Sequence, residues 1–242
     1  MTEKKIVEHY NSAWAEDFIP PYIVSLYAPL ESLGVSANTK ILDLGCGNGS
    51  LGVWLRKNFN CQVWGTEISD VAAAQAKEKG YQEVARHSLE ETSPPFPDRT
   101  FDIVILCAAI EHLFEPEKAM QQACLSLGEN GILIVLTPNI CWIVNRLLFL
   151  FGHWESSLMG GTKGHIRYFN QLQLKRLLSE NGFDRLDWSY SVSLVLPPDN
   201  IAFIRGKPVH IPAFLVGRRV RRRQKLWAEN FIVIARKKAA AL

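Results

Sequence analysis

The chain has 242 residues, of which 48% are hydrophobic and 21% charged, so it can bury a full core and is too apolar to stay disordered. A net charge of +3 does not by itself mark a nucleic-acid binder. The five cysteines (Cys46, Cys61, Cys107, Cys124 and Cys141) are scattered without a C-x-x-C, which signals neither a disulfide framework nor a zinc site.

The first residues, MTEKKIVEHY, are charged and lack an apolar signal stretch, which together with the cysteine usage predicts a protein of the reducing cytoplasm. Residues 1–39 read as a helical cap. From residue 40 to 139, strand-like runs alternate with helical patterns. KILDLG leads to SLGVWLRKNF, CQVWGTEIS to DVAAAQAKEKG, and FDIVILCAA to EPEKAMQQACLSL and then GILIVLTPN; a short EVARHS precedes the proline-rich loop ETSPPFPDRT. Short β-branched strands separated by helices signal right-handed βαβ units and a parallel sheet. The runs IVIL and ILIVL are apolar throughout, as strands covered on both faces should be.

Residues 131–151 are very apolar, but Pro138, Asn139, Asn145 and Arg146 interrupt them, and neither piece approaches the roughly 20 residues of a membrane span. They predict a buried strand and then an apolar helix over 141–151, the start of an inserted segment at 140–169. Residues 170–242 read as terminal helices and strands: a helix capped by Asn170 and stopped by Gly182, then strands in FDRLDWSYSV and NFIVIARK. Between those strands GRRVRRRQK packs six cations into nine residues, read either as a solvated face or as contact with an acidic substrate or membrane surface. The whole reads as one α/β domain with an insertion.

The stretch ILDLGCGNGSLG (residues 41–52) holds two glycine patterns. From Gly47 it spells G-x-G-x-x-G, a pyrophosphate cradle, and from Asp43 it spells D-x-G-x-G-x-G. A pyrophosphate wants free N–H groups at a helix start, whereas a carboxylate at Asp43 can orient the turn and favour a cationic ligand while repelling phosphates. Glu67, 18 positions beyond Gly49, can accept two hydrogen bonds from ribose hydroxyls under either pattern. Gly45 already begins the turn, so the Asp43 register is preferred, and its ligand should join an adenosine to a positively charged tail.

Four ordered stretches, ILDLGCGNGSLGVWL, VWGTEIS, FPDRTFDIVILCAAIEHL and LGENGILIVLTPN, resemble successive motifs of the class I S-adenosylmethionine-dependent methyltransferases, of the small-molecule, quinone or sugar O-methyltransferase type. The resemblance implies a doubly wound, mostly parallel seven-stranded sheet with an inserted helical lid and an antiparallel last strand. It implies S-adenosylmethionine as cofactor and S-adenosylhomocysteine as product. Gly45, Cys46 and Gly47 would lie on the methionine part, Glu67 on the ribose and Ile68 on the adenine face. Ser88 would replace the usual Asp at the adenine amino group, with Leu89 offering its N–H. Cys107 and Ala108 would present backbone to the methionine ammonium, and Tyr10 resembles a lid tyrosine.

Methyl transfer is an in-line displacement from a good electrophile, so the protein supplies alignment and a base. The candidates are His112, just after the fourth strand, and His165 in the insertion, each also readable as structural; Arg167 and Tyr168 could bind substrate oxygens or pack at the helix entry. His9, His87, His153 and His210 are read as structural. Quinone O-methyltransferases with a similar stretch carry a further Glu where Ala108 stands, completing a magnesium site; Glu111 and His112 alone are too few ligands, so no metal is predicted. Trp154, Met159 and the apolar helix suggest an apolar acceptor pocket. With the arginines from Arg218 to Arg223 they suit a small-molecule acceptor with an apolar body and an anionic end, or peripheral membrane contact. Nucleic acid is not an expected partner, since no N-P-P-Y or D-P-P-Y follows the fourth strand. Methylation at nitrogen or carbon, of RNA or of protein, and a non-catalytic cofactor-binding scaffold are the alternatives.

Overall fold

The computed structural model describes residues 20–152, 164–191, 203–204, 207–208 and 224–239. Tyr10, Trp154, Met159 and the run from Arg218 to Arg223 lie outside the described residues.

Seven strands form the main sheet: β1 (Lys40–Leu44), β2 (Gln62–Glu67), β3 (Val84–Arg86), β4 (Phe101–Cys107), β5 (Leu127–Pro138), β6 (Phe183–Ser191) and β7 (Asn230–Lys237). Their spatial order is β3-β2-β1-β4-β5-β7-β6, with β7 antiparallel to both neighbours and the first five strands parallel. The expected antiparallel last strand is NFIVIARK, as read. A separate two-residue ladder pairs Phe203–Ile204 with Lys207–Pro208.

The period-2 alternation of the strands sorts the core into two layers. Leu42, Leu44, Val104, Leu106, Leu133, Val135 and Val233 join one buried cluster. Their neighbours Ile41, Ile103, Ile105, Ile134, Leu136 and Ile232 join the other. Helices α4 (Pro116–Ser126) and α6 (Gln171–Glu180) cover the first face through Met120, Ala123, Leu174 and Leu178. Helices α1 (Tyr27–Ser32), α2 (Ser50–Phe59) and α3 (Asp70–Glu78) cover the second through Leu30, Trp54, Leu55 and Ala76. Asn170 and Gln173 close a reciprocal capping box at the start of α6, and Gly182 (φ +91°) follows its end.

Two boundaries differ from the sequence reading. β5 starts at Leu127, four residues before the apolar run, because Phe101 pairs with it across the sheet. The apolar helix is α5 (Ile143–Leu150), slightly shorter than the expected 141–151. Its buried residue is Asn145, whose amide donates to the Asn139 and Ile140 carbonyls, while Leu147, Leu150 and Phe151 are exposed. Among the described residues no helix is long and apolar enough to cross a membrane. A short helix α7 (Gln224–Trp227) precedes β7.

The chain winds outward from β1 to β3 and then returns to place β4 on the other side of β1. The strand order reverses between β1 and β4, and the crevice beyond their carboxyl ends is where such sheets take ligands.

Candidate active site at the carboxyl ends of β1, β2 and β4

β1 ends in a turn that the alternate glycines make possible. Gly45, Gly47 and Gly49 have φ of +78°, +52° and +83°, a region that side chains disfavour. A Cβ on Gly49 would also stand 2.8 Å from Ala76 Cα, so the third glycine lets α2 pack on α3. The Gly45 and Cys46 N–H groups both donate to the Thr66 carbonyl, at 3.0 and 2.8 Å. This ties the turn to β2, and Cys46, Gly47 and Asn48 are buried within it.

Glu67 closes β2 and organises two loops at once. Its Oε2 accepts from Gly47 N–H at 2.9 Å, and its Oε1 accepts from Ile68 and Ser69 N–H at 2.8 and 2.9 Å. Burial raises its pKa, opposed by those three backbone bonds, which favour the charged form. The sequence reading gave this carboxylate two ribose hydroxyls; with Oε1 accepting twice, the free lone pair is on Oε2.

Asp43 does not face the crevice. It is 1% exposed and accepts from the Tyr81 hydroxyl at 2.7 Å, and that hydroxyl accepts from Gly52 N–H at 2.9 Å. The Tyr81 ring lies against Gly52 and Gly65, so two glycines outside the turn make room for it. Asp43 thus braces the turn from beneath. Burial pushes its pKa up to about 7, against the Tyr81 hydrogen bond. A carboxyl raised in the folded state binds more protons there than in the unfolded chain between about pH 4 and 7, so stability falls as pH rises through that window. At about 1.4 kcal/mol per unit, the loss is on the order of 2–4 kcal/mol. Asp43→Asn keeps an acceptor for Tyr81 and should flatten this part of the slope. Urea unfolding at pH 5.5 and pH 8 reads it, and equal slopes in the two proteins would contradict the placement.

The loop after β3 places Ser88 and Leu89 beside the turn. Ser88 Oγ accepts from Glu90 N–H at 3.2 Å, and its carbonyl accepts from the Gln122 amide at 2.8 Å. The hydroxyl oxygen retains one lone pair. Leu89 is half-buried, and its Cδ1 would be 3.1 Å from a Cβ on Gly45.

At the end of β4, Ala108 takes φ +52°, a conformation few non-glycine residues hold, with its N–H on the Leu136 carbonyl at 2.9 Å. The chain then makes a 3-10 turn over Ile110–His112. Here the fold joins two distant stretches. The N–H groups of Ile166 and Arg167 donate to the Glu111 carbonyl, each at 3.0 Å, laying the 164–169 strip across the exit of β4. His112 Nδ1 donates to the Gly164 carbonyl at 3.1 Å. The His112 and His165 rings meet edge to face with centroids 4.6 Å apart. His165 Nε2 stands 3.9 Å from Glu111 Oε1, beyond hydrogen-bond reach, while Glu111 Oε2 accepts from Thr137 Oγ1 at 3.0 Å. Burial, then the neighbouring His112, pushes His165 down to about 4, and burial pushes Glu111 up to about 7. At neutral pH the pair is therefore not an ion pair: His165 is an uncharged imidazole.

Both histidine candidates are thus gathered, together with a glutamate that sequence reasoning dismissed. The expectation of no metal rested on two ligands, and the fold supplies a third: Glu111, His112 and His165 have ligand atoms all within 4.8 Å of one another. Arg167 is placed differently from the substrate-binding role expected of it. Its guanidinium clips the Leu113 and Phe114 carbonyls, with Nε at 3.0 and 3.1 Å. Tyr168 is half-buried, its ring 6.3 Å from that of His165. Tyr22, unmarked by any motif, stands in electrostatic reach of Cys107, Glu111 and Asp43, and burial with those neighbours raises its pKa well above the ordinary tyrosine value.

Comparison with known proteins gives this crevice its chemistry. Residues 17–187 match the family model described as a methyltransferase domain. The chain is 24% identical over 187 residues to a ubiquinone biosynthesis O-methyltransferase of Bartonella quintana, covering 75% of this chain and 74% of that one. It is 26% identical over 179 residues to a ubiquinone/menaquinone biosynthesis C-methyltransferase of Laribacter hongkongensis, covering 66% and 72%. In fold it is similar to the magnesium protoporphyrin IX methyltransferase of Synechocystis solved with bound SAH, with a TM-score of 0.61 and 16% identity over 98% of this chain and all of that one (100%). The sheet order, the glycine turn at the β1/β4 reversal and the family match lead to one conclusion: this chain belongs to the class I S-adenosylmethionine-dependent methyltransferases.

Proposed function

We propose that the enzyme transfers the S-adenosylmethionine methyl group to a hydroxyl of a small-molecule acceptor, a sugar, lipid-linked or natural-product compound. The observation that carries this reading is the meeting of His112 and His165 at the exit of β4, across the strand end from the glycine turn. The O-methyltransferase among its relatives supports the choice of oxygen, and the C-methyltransferase keeps carbon as the second reading.

In this reading Gly45, Cys46 and Gly47 hold the methionine part of the cofactor, and the Cys107–Ala108 backbone meets its ammonium. Glu67 takes a ribose hydroxyl, Ile68 the adenine face, and Ser88 with the Leu89 N–H the adenine edge. The acceptor oxygen attacks the methyl carbon in line, the carbon–sulfur bond breaks with its electron pair leaving on sulfur, and S-adenosylhomocysteine remains. The hydroxyl proton passes to His165, whose imidazole is unprotonated at neutral pH because its pKa is pushed down to about 4. The protein would work in the cytoplasm, and the run from Arg218 to Arg223 would meet an anionic acceptor end or membrane surface.

A screen of hydroxylated acceptors with methyl-labelled S-adenosylmethionine, read by mass, tests the reading. His165→Ala should lower kcat about 100-fold or more while leaving cofactor affinity within about twofold, the range expected for a lost general base. His112→Ala should lose cofactor affinity as well as rate. Label arriving on carbon or nitrogen, or full turnover by the His165 variant, would overturn the assignment.

A further inference from the structure

We propose that Glu111, His112 and His165 bind one divalent transition-metal ion, of the zinc, cobalt or iron(II) class. Their ligand atoms lie within 4.8 Å of one another. His165 Nε2 and Glu111 Oε1 are 3.9 Å apart, too far for a hydrogen bond but less than twice a metal–ligand bond of about 2.1 Å. Tetrahedral ligands of one ion stand about 3.4 Å apart, so this pair must close by about half an ångström and the widest pair by up to about 1.4 Å, a side-chain adjustment.

Two further observations point to a ligand. Glu111 is 1% exposed, and its Oε1 has no hydrogen-bond partner, as has none the buried His165 Nδ1. A buried carboxylate oxygen without a partner is costly, and a cation between it and the imidazoles would satisfy it. The surroundings also prepare ligands. Thr137 holds the other carboxylate oxygen, and the Gly164 carbonyl fixes the proton of His112 on Nδ1, which puts the lone pair of that ring on Nε2. Such outer hydrogen bonds are what orient metal-binding side chains. Two imidazoles and one carboxylate favour borderline transition metals over magnesium or calcium, which prefer oxygen. The set is contributed by the β4 exit and by the 164–169 strip, so an ion would also pin that strip in place.

Three protein ligands leave coordination open for an acceptor hydroxyl. An acceptor hydroxyl held there would lose its proton to solvent more readily, and its oxygen would take the methyl group as the carbon–sulfur bond breaks with its electron pair leaving on sulfur. In the ion-loaded protein this replaces proton transfer to His165. That step rests on the proposed function; ion binding does not.

The test uses the full chain, stripped with a chelator and titrated with zinc and with cobalt(II). One equivalent should bind at micromolar concentration or tighter. Glu111→Gln and His165→Ala should each weaken binding tenfold or more, as loss of a ligand should exceed loss of an outer partner. His87→Ala, which removes the half-buried histidine near Glu91, should leave the stoichiometry unchanged. Zinc should also protect His112 and His165, but not His87, from carbethoxylation of the unmutated protein, which covers the case of a variant that does not fold. No bound ion, protection of neither histidine, or binding lost with His87 would overturn the proposal. A chain that binds no ion yet methylates a hydroxyl in a His165-dependent way refutes this inference and keeps the proposed function. One that binds the ion through these residues and methylates no hydroxyl does the reverse.

Discussion

Glu67→Ala should reduce S-adenosylmethionine affinity at least tenfold and toward a hundredfold, and lower stability in the same variant. Its carboxylate accepts from the N–H groups of Gly47, Ile68 and Ser69, so alanine leaves three backbone donors at the crevice without their acceptor. Each hydrogen bond to a charged group contributes about 1.5–3 kcal/mol, and the Gly47 bond fixes the turn against β2. Glu67→Gln should fall between, because its amide keeps one acceptor oxygen but turns an NH2 toward a donor. Calorimetric titration and urea unfolding on the same samples separate the two losses. A Glu67→Ala protein with native affinity would show that the turn does not depend on β2.

Gly52→Ala should be among the most damaging single-methyl additions in the chain. The added Cβ would fall within the Tyr81 ring, so either the ring or α2 must move. Moving the ring breaks two hydrogen bonds, Gly52 N–H to the Tyr81 hydroxyl and that hydroxyl to Asp43. Overpacking costs about 1–3 kcal/mol and an unpaired buried carboxyl about as much again, so a loss of about 3 kcal/mol or more is expected. Gly34→Ala, with open space around the Cβ, gives the contrast: its cost should be limited to the φ of +69°. Similar unfolding midpoints for the two variants would remove Tyr81 as the brace of the turn.

Much of the sheet is legible in the sequence because its signal is local. NFIVIARK is a strand by its β-branched run and KILDL by its apolar run into the glycine turn, and the alternate glycines mark a turn wherever they sit. The Asn170 cap is legible for the same reason. Contacts made at long range are not. Tyr81 lies in a short loop with no pattern, and its bond to Asp43 across 38 residues is the partner through which that carboxylate supports the turn. The meeting of His165 with Glu111 depends on the backbone bonds of Ile166 and Arg167, which no spacing rule encodes. The third side chain that could join Glu111 and His112 is invisible in the IEHL stretch for that reason. The apolar helix is legible as a helix, but composition reports how greasy a segment is, not which way it faces; here a buried Asn145 fixes the helix and turns leucines outward.

The most direct test of the central claim, that the crevice at the β1/β4 reversal binds S-adenosylmethionine at the Gly45–Gly47 turn and Glu67, is calorimetric titration of the full chain with S-adenosylhomocysteine and, separately, with NAD. The account predicts one site for S-adenosylhomocysteine, weakened by Glu67→Ala, and a melting temperature that rises with ligand concentration by mass action. NAD should give neither heat nor shift. Equal binding of NAD, or S-adenosylhomocysteine binding indifferent to Glu67, would contradict it.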